Sequence, residues 1–424
     1  MPRPAPWRCR PCSTPRRGAL STPPAAVGWR HHAPGAHVFR VPEPSEVPVP
    51  GATGIHPHDQ PRRVSAHRTV DHARLVVLVP AHDEEDALPG ALRALRRQTV
   101  RPSAVTVVAD RCTDGTAEVA RSFGARVLPT RDNDARKAGA LNQALAALAV
   151  APPEYVLVLD ADTRITRTFV ETALAHLDSD PSLGAVSGMF HGDDPHGTLE
   201  RCQANEYTRY ASKILTTGRV SVVSGTASMF RYRALADVAD HRGTGLPGSH
   251  GDVYDRGAIT EDSELTLALR TRGWRLVAPS GCRCSTELMP TLGTLHRQRV
   301  RWYSGMLDNL RAYGLTRVTA PYHLQQAALT LGTATWWLMM LMMLLAAVGG
   351  TFAWQTFWLA VGGVFLLERL VSVWDGGHRA RWLSLAVLPE LLYDTALQLA
   401  YLHAWVAHLR GRQPAWGHLT PARA

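Results

Sequence analysis

The chain reads YVLVLDAD at residues 155–162, five apolar residues followed by two aspartates one residue apart. A short run that is apolar throughout is typical of a strand buried on both faces of a parallel sheet. Ligands bind at the carboxyl ends of such strands. The pattern therefore predicts that Asp160 and Asp162 lie at a ligand-binding edge. A solvated loop end is the alternative for an isolated Asp-x-Asp triplet.

Strand and helix patterns alternate ahead of this run. Apolar strand patterns occur at residues 75–79, 104–109 and 126–128, and helical patterns at 87–98, 117–123 and 137–148. Such alternation predicts an α/β domain with a mostly parallel sheet. Asp110 directly follows the second strand pattern, so we expect it at the same edge of the sheet as Asp160.

The charge distribution argues against nucleic-acid binding. The net charge is +10, but Lys137 and Lys213 are the only lysines, and arginine supplies the rest of the positive charge. The excess of positive charge falls in the N-terminal tail and beside the apolar C-terminal segments. A nucleic-acid interface needs a basic face with interleaved aromatic residues on a folded domain. Basic residues beside apolar spans are typical of cytoplasmic membrane flanks, so we expect a membrane partner and no nucleic acid.

Residues 1–72 are rich in Pro and Arg and lack hydrophobic periodicity, which predicts a disordered tail. They contain no apolar run long enough for a signal peptide or a spanning helix. Cys9 and Cys12 have metal-like spacing, but no second ligand pair lies near them. We therefore interpret the six cysteines as free thiols in a reducing compartment.

Three apolar segments follow the α/β domain. Residues 327–348 carry no charge and have the length of a spanning helix. Residues 353–374 form a second candidate, and residues 382–409 form a third that contains Glu390 and Asp394. Carboxylates in a bilayer are costly unless they face a protein interior or a cavity. The third segment is therefore expected either to span the membrane or to lie in the interface, which gives two or three transmembrane helices.

Between these regions, apolar and basic residues interleave. Leu295, Val300 and Leu307 alternate with Arg297 and Arg301. This pattern predicts a basic amphipathic helix lying on a membrane surface. Periodicity alone does not distinguish such a helix from one that packs on the soluble domain, so the second arrangement stays open.

Asp160 and Asp162 have the residue type and spacing of a site for a hard divalent cation. Mg²⁺ and Mn²⁺ prefer oxygen ligands and usually keep waters and substrate phosphates. A metal at this position would neutralise charge on a leaving diphosphate. We therefore predict a Mg²⁺ or Mn²⁺ site at these two carboxylates.

Asp262 lies at the start of a predicted helix. It is a candidate general base that removes a proton from an attacking hydroxyl, although an acid that favours the helix dipole is the alternative. Gln298, Arg301 and Trp302 add a hydrogen-bond donor, a fixed cation and an aromatic face, which suit a sugar and a diphosphate. Membrane anchoring is the alternative for Arg301 and Trp302.

Two further acidic stretches have structural interpretations beside functional ones. Asp110 could accept hydrogen bonds from a ribose or a base, whereas residues 114–116 are more typical of a turn and a helix cap. Residues 82–85 begin a predicted helix, where their acids could be simple dipole partners.

Taken together, these residues resemble the membrane-bound family 2 glycosyltransferases, the group of hyaluronan, chitin, cellulose and poly-N-acetylglucosamine synthases. The resemblance covers residues 74–410. It rests on the ordered motifs VPAHDEE (79–85), AD (109–110), KAGALN (137–142), DAD (160–162), TED (260–262) and QRVRW (298–302). Each motif is weak alone, but the set in this order is specific.

The resemblance implies a GT-A fold and a UDP-sugar donor. By its motifs, Asp110 would bind the nucleoside with Pro80 and Glu84 beside it, and Lys137 would lie near the diphosphate. Asp160 and Asp162 would hold the nucleotide and the metal.

The resemblance also implies an inverting displacement at the anomeric carbon. Asp262 would be the base of this reaction. The acceptor site and the diphosphate contacts would come from Glu261, Gln298, Arg301 and Trp302. Residues 224–226 fall where the family often has a small-residue acceptor loop.

The resulting domain prediction follows the chain in order. It gives a disordered tail (1–72), a GT-A catalytic domain (73–292), an interfacial helix region (293–322), two or three transmembrane helices (323–410) and a short tail (411–424).

The sequence departs from the family at two places. Asp83 stands where the family usually carries Asn, and His82 where Tyr is common. No spanning helix is predicted before the catalytic domain, where polymer-exporting members usually have one or more. Export would therefore need a partner subunit.

We expect a hexosyltransferase in the cell membrane, multi-pass, with its catalytic domain in the cytoplasm. It would extend a polysaccharide from a UDP-sugar on a saccharide or lipid-linked acceptor. One alternative is the transfer of one or a few sugars to a lipid or other membrane acceptor. A remote alternative is a non-catalytic membrane scaffold. An inactive relative would be expected to lack one of the candidate acids, but all four are present: Asp110, Asp160, Asp162 and Asp262.

Overall fold

A computed structural model describes residues 74–351, 353 and 356–411. The predictions for residues 1–72, the Cys9 and Cys12 pair included, and for the tail beyond residue 411 lie outside the described residues. Four cysteines are described, and all are free thiols: Cys112, Cys202, Cys282 and Cys284.

Strands and helices alternate from residue 75 onward, as predicted. The first seven elements are β1 (Leu75–Ala81), α1 (Leu88–Arg96), β2 (Ala104–Ala109), α2 (Thr116–Ser122), β3 (Arg126–Pro129), α3 (Arg136–Leu148) and β4 (Tyr155–Leu159). The next are β5 (Arg164–Ile165), α4 (Phe169–Ser179), β6 (Leu183–Ser187), β7 (Met189–Gly192), α5 (Thr198–Thr217), β8 (Ala227–Arg231), α6 (Tyr232–His241), α7 (Glu261–Thr271), β9 (Arg275–Val277) and β10 (Arg283–Thr286).

Seven strands form the main sheet in the order β3-β2-β1-β4-β8-β6-β9. The pairs β2–β3, β1–β2, β1–β4 and β6–β9 are parallel, and β8 runs antiparallel to both of its neighbours. The sheet is therefore mostly parallel, as the alternation predicted. Strand β10 joins β5 and β7 in a second, three-stranded sheet.

Helices cover both faces of the main sheet, which explains why β4 is apolar throughout. Leu157 and Leu159 of β4 belong to the core that contains α1 and α4. Val156 and Val158 belong to the core that contains α3, α6 and α7. All five residues of β4 are buried, so the apolar run ends only where the chain leaves the sheet at Asp160.

The remaining helices follow the second sheet. They are α8 (Leu292–Tyr313), α9 (Ala320–Val348), α10 (Thr356–Ser372), α11 (Gly377–Leu385) and α12 (Leu388–Leu409). Among the described helices, α9 is the one long and apolar enough to cross a bilayer, judged by length and composition. The other spans predicted from the sequence stay predictions.

Helix α8 buries its apolar face inside the protein. Leu295 packs with Tyr393 of α12, Val300 packs with Ala400 and Ala404 of the same helix, and Leu310 packs with Leu267 of α7. The apolar face of α8 is thus covered by α12 and α7. This arrangement corresponds to the packed-helix alternative and leaves little of that face for lipid.

The carboxylates of α12 also face protein. Glu390 is 1% exposed and accepts hydrogen bonds from Arg209 of α5 and Arg369 of α10, at 3.2 Å and 2.6 Å. Arg369 also pairs with Asp394. The two acids that made this segment a poor lipid-facing span therefore have cationic partners, which satisfies the condition for burying charge.

A buried ion pair connects α7 to the segment between α6 and α7 (residues 242–260). Arg242 is 0% exposed and Glu264 of α7 is 1% exposed. Two nitrogens of the guanidinium donate to the carboxylate at 2.5 Å and 2.7 Å, and they also donate to the backbone oxygens of Pro247 and Val253. Tyr313 of α8 donates to the same carboxylate at 2.5 Å. This pair ties the loop, α7 and the end of α8 together.

Replacing Arg242 tests this role. Arg242→Met leaves Glu264 buried without its cation, so we expect a loss of about 3–5 kcal/mol in the free energy of unfolding. Urea unfolding of the detergent-solubilised chain measures it. The matched control is Arg256→Met, because Arg256 makes a similar forked pair with Asp252 but its side chain is 56% exposed. We expect the control to cost at most about 1 kcal/mol, and equal losses in the two variants would refute the assignment.

Candidate active site

The candidate site lies at the carboxyl edge of β4, where several elements converge. Asp160 follows β4, and Lys137 lies in the first turn of α3. Glu261 and Asp262 begin α7. Gly225 lies in the loop that precedes β8. Lys137, Gly225, Glu261 and Asp262 line one small pocket, together with Tyr254.

The Lys137 ammonium group joins these elements. Its Nζ lies 2.6 Å from Asp160 Oδ1 and 3.1 Å from Glu261 Oε1. It also donates to the backbone oxygen of Gly225 at 3.0 Å. One cation therefore holds the ends of β4, α7 and the loop before β8 around a common centre.

The backbone at Gly225 lets Asp262 approach closely. The Gly225 N–H donates to Asp262 Oδ2 at 3.2 Å, and a Cβ at this position would lie only 2.9 Å from the same oxygen. Asp262 Oδ1 accepts a hydrogen bond from the Ser263 N–H at 2.8 Å. The carboxylate is therefore held by two backbone donors, one of which requires a residue without a side chain.

Helix α8 docks against the first turn of α7. A Cβ at Gly305 would lie 2.3 Å from Thr260 Oγ1, so glycine allows the two helices to come this close. Asn309 of α8 donates to Ser263 Oγ at 2.8 Å. The run that contains Gln298, Arg301 and Trp302 is thereby fixed relative to Asp262.

Burial and neighbouring charge shift the pKa values at the site. Burial raises the pKa of Asp160 to about 7; Lys137 opposes this shift and Asp162 adds to it. Burial by itself lowers the pKa of Lys137, but Asp160 and Glu261 outweigh it and raise the pKa. The ammonium group therefore stays charged, and its field is what keeps Asp160 partly ionised at neutral pH.

The two acids of α7 respond differently. Burial raises the pKa of Asp262 to about 6, and the adjacent Glu261 adds to this shift. Burial also acts to raise the pKa of Glu261, but Lys137 and then Arg301 lower it below its usual value. Glu261 is therefore the ionised partner of the lysine, while Asp262 has a pKa near that of a base working at neutral pH.

The charge of Asp162 also acts on two further carboxylates, Glu84 and Glu287. Burial, followed by the charges of Asp162 and Glu287, raises the pKa of Glu84 to about 8. Burial and Asp162 also raise the pKa of Glu287, which follows β10. The sequence reasoning missed Glu287, since no strand-end acid pair marks it. The pairing of β10 with β5 brings Glu287 near Asp162, because β5 begins two residues after Asp162.

Asp110 and Pro80 lie on the neighbouring strands. Pro80 of β1 pairs with Val108 of β2, and Asp110 accepts a hydrogen bond from the Thr130 hydroxyl at 2.7 Å. The Asp110 carbonyl contacts His82 Nδ1 at 2.5 Å. These contacts stay within the β1–β3 side of the sheet and do not reach the Lys137 group.

The acids of the β1–α1 loop have structural partners. Asp83 accepts from the Thr113 N–H at 2.6 Å, and Glu85 accepts from the Gly115 N–H at 2.7 Å. Asp114 accepts from the N–H groups of Glu85 and Thr116, both at 3.0 Å. These hydrogen bonds join the two loops. The Asp114 contact with Thr116 is the predicted turn, whereas the N-cap residue of α2 is Gly115, which makes no side-chain cap.

The residues of the QRVRW run lie on α8. Arg301 acts on the Lys137 group, whereas Gln298 and Trp302 contact a different residue. Arg301 contributes to the field that lowers the pKa of Glu261. Gln298 and Trp302 are in contact with Arg299. The sequence pattern placed Arg299 among the basic residues of a membrane-surface helix, but it is buried inside the protein. The structure thus brings Lys137, Asp160, Glu261 and Asp262 into one group and keeps Gln298 and Trp302 in a second group on α8.

Comparison with known proteins now identifies the family. Residues 155–373 match the family described as "Glycosyl transferase family group 2", which is more than half of the chain. The chain belongs to this family. It is a glycosyltransferase, as the motif order predicted.

This glycosyltransferase has curated relatives in staphylococci. It is 26% identical over 238 residues to poly-beta-1,6-N-acetyl-D-glucosamine synthase from Staphylococcus aureus strain MSSA476, a region that covers 54% of each protein. It is 25% identical over 254 residues to the synthase of that name from Staphylococcus epidermidis, covering 57% of this chain and 56% of the relative. The chain spans about half the length of the curated relatives it matches.

A solved structure supports the fold of this glycosyltransferase. The mannosyltransferase PcManGT from Pyrobaculum calidifontis, in complex with GDP-Man and Mn²⁺, superposes with a TM-score of 0.54 at 20% sequence identity. The match covers 79% of this chain and 87% of that one. The catalytic domain has the GT-A-like α/β fold that the resemblance implied.

Lys137→Met tests the central ion pairs. Without the ammonium group, the pKa of Asp160 would rise above about 7, and the carboxyl would be protonated at neutral pH. We expect sugar transfer to fall at least about a hundredfold, the usual effect of removing one preorganised charge or donor. The matched control is Lys213→Met, because Lys213 is the other lysine of the chain and is exposed on α5. A rate near that of wild type for Lys137→Met would contradict the role of this cation.

Proposed function

We propose that this glycosyltransferase moves a sugar from a UDP-sugar to a hydroxyl acceptor at the membrane, with inversion, and that it extends a polysaccharide. One observation carries the proposal. The Lys137 ammonium group bridges Asp160 and Glu261, and Asp262 lies in the same pocket. Donor-binding and base residues expected from separate motifs thus share one site.

The proposed chemistry is a single displacement. The acceptor oxygen attacks the anomeric carbon from the side opposite the leaving diphosphate, which inverts the configuration. Asp262 takes the proton of that hydroxyl. Two backbone N–H groups fix the orientation of its carboxylate, and a pKa of about 6 leaves it ionised at neutral pH.

Charge stabilisation falls to the residues around the diphosphate. Lys137 supplies a fixed cation at the carboxyl end of β4, and Arg301 supplies a second near Glu261. Such preorganised charges act where negative charge develops on the leaving group. Asp110, Pro80 and Glu84 line the adjacent edge of the sheet, where the nucleoside would bind.

The residues around Asp162 fit a divalent cation. Asp162 accepts a hydrogen bond from its neighbour Thr163 at 2.9 Å, and the pKa values of Glu84 and Glu287 are raised partly by its charge. Carboxylate oxygens are the ligands that Mg²⁺ and Mn²⁺ prefer, and Lys137 and Arg164 offset only part of the negative charge here. Asp162 and Asp160 would hold the ion, which when bound neutralises charge on the diphosphate.

The membrane setting and polymer product are inferred from the helices and the relatives. Helix α9 has the length and composition of a span, and the curated relatives are named as synthases of a polysaccharide. We infer a multi-pass protein of the cell membrane with its catalytic domain in the cytoplasm and with α10 and α12 as further membrane helices. The acceptor is a saccharide or a lipid-linked saccharide, and export would use a partner subunit.

A donor screen tests this function. Membranes that contain the full chain are incubated with labelled UDP-N-acetylglucosamine, UDP-glucose, UDP-galactose or GDP-mannose, with Mn²⁺ or Mg²⁺ and with a chelator in parallel. We expect long product from one UDP-sugar only, and none with the chelator. Addition of one or a few sugars would favour the non-processive alternative. Transfer from GDP-mannose alone would overturn the UDP assignment, and no transfer from any donor would overturn the function.

The pH profile tests Asp262. Because burial raises its pKa to about 6, the base is protonated below that pH. We expect kcat/KM to fall about tenfold per pH unit below about 6. Asp262→Asn should lower the rate by about a thousandfold, and its residual rate should lose this acid limb.

The control for this prediction is Asp240→Asn, because Asp240 is exposed at the end of α6. That variant should keep both the rate and the acid limb. Full activity in Asp262→Asn, or an acid limb that survives in it unchanged, would rule out Asp262 as the base.

A further inference from the structure

Arg299 is a buried cation without a role in the mechanism above. It is the second residue of the QRVRW run and is 1% exposed. Burying a guanidinium group is costly unless its N–H groups are paired. Its Nε, also buried, has no hydrogen-bond partner among the described residues.

The guanidinium group joins three helices. Its Nη2 donates to Glu206 of α5 at 2.6 Å and lies 3.3 Å from the hydroxyl of Tyr393 on α12. Tyr393 also donates to Glu206. Its Nη1 donates to Oε1 of Gln298, on α8 itself, at 3.0 Å. Residues of two other helices, Glu206 of α5 and Tyr393 of α12, therefore hold Arg299 in position.

The contact with Gln298 fixes the direction of its amide. A guanidinium group has only donors, so the Gln298 atom that faces it must be the oxygen. The NH₂ of Gln298 then points away from Arg299. In this orientation the side chain offers two N–H donors, which suit a hydroxyl or ring oxygen of a sugar.

The contact with Trp302 fixes one face of the indole. The guanidinium carbon lies 4.2 Å from the ring centroid, a distance typical of a cation stacked on an aromatic face. That face is occupied, so only the opposite face of Trp302 can stack on a pyranose ring. Tyr207 of α5 lies 5.8 Å from the same cation and helps to hold it.

We propose that Arg299 is a positioning residue for the acceptor sugar. It orients the Gln298 amide and the Trp302 ring, and Glu206 and Tyr393 hold it in place. The inference rests on the proposed function and on the prediction, made from the sequence motifs, that Gln298 and Trp302 line the acceptor site. It adds that the geometry of this site depends on α12 through the hydroxyl of Tyr393.

A purely structural cross-link makes a different prediction. If Arg299 only joined the three helices, its replacement would lower stability and weaken donor and acceptor binding together. A positioning residue affects acceptor binding and leaves donor binding in place, because Lys137 and Asp160 do not contact it. The KM values for the two substrates therefore separate the interpretations.

Arg299→Lys is the main variant, measured in membranes with the full chain. Lysine keeps the charge beside Glu206 but lacks the planar fork that reaches Gln298 at the same time. With UDP-N-acetylglucosamine and a β-1,6-linked N-acetylglucosamine pentamer, we expect the acceptor KM to rise about tenfold, the equivalent of about one hydrogen bond. Donor KM and UDP release without acceptor should stay within about twofold. Arg297→Lys, on the exposed side of the same helix, should match wild type.

Tyr393→Phe is the second variant, and it decides the matter if Arg299→Lys does not fold. It removes only the hydroxyl that holds Arg299 and Glu206, so we expect a smaller rise in acceptor KM, about threefold, with donor KM unchanged. An unchanged acceptor KM in the variants that fold, or equal changes in donor and acceptor KM, would overturn the inference. Either result counts against the inference only if the wild type transfers sugar in the same assay. A wild type that releases UDP from none of the UDP-sugars in the donor screen and extends no acceptor would instead overturn the proposed function.

Discussion

The arrangement of the site depends on one ammonium group among carboxylates. Glu261 and Asp262 line a single pocket with Lys137, and the Lys137 ammonium group pairs directly with Glu261 and with Asp160. Without this cation, their mutual repulsion and burial would raise the pKa values and leave neutral acids at the site. The register of β4, the first turn of α3 and the first turn of α7 must therefore all be correct at once. Gly225 completes the arrangement because only a residue without a side chain lets Asp262 approach.

Helix α8 connects this group to the C-terminal helices. Gly305 and Asn309 dock it on the first turn of α7, and its opposite side packs along α12. The QRVRW run is therefore held between α7 and α12, a helix of the predicted membrane region. A shift of α12 would move Gln298 and Trp302 through Arg299, which gives a physical route from the predicted membrane region to the proposed acceptor site.

Pairing of buried carboxylates with cations also explains how α12 accommodates its two acids. Glu390 and Asp394 would be costly in lipid, but Arg209 and Arg369 pair with them inside the helical region. An apolar segment with two carboxylates thus packs against protein on one side. Composition indicated that these acids needed partners, yet the partners come from α5, about 180 residues earlier, and from α10.

Local pattern determined much of this protein. The spacing of apolar residues within each segment predicts three features: the buried strand β4, the alternation of strands and helices, and the position of Asp160 at a strand end. Tertiary structure decided the rest. Amphipathic periodicity in α8 showed that one face is covered but not that α12 and α7 cover it. The burial of Arg299 and the position of Glu287 were not predicted because their surroundings come from distant segments, and burial and charge pairing are properties of the assembled fold.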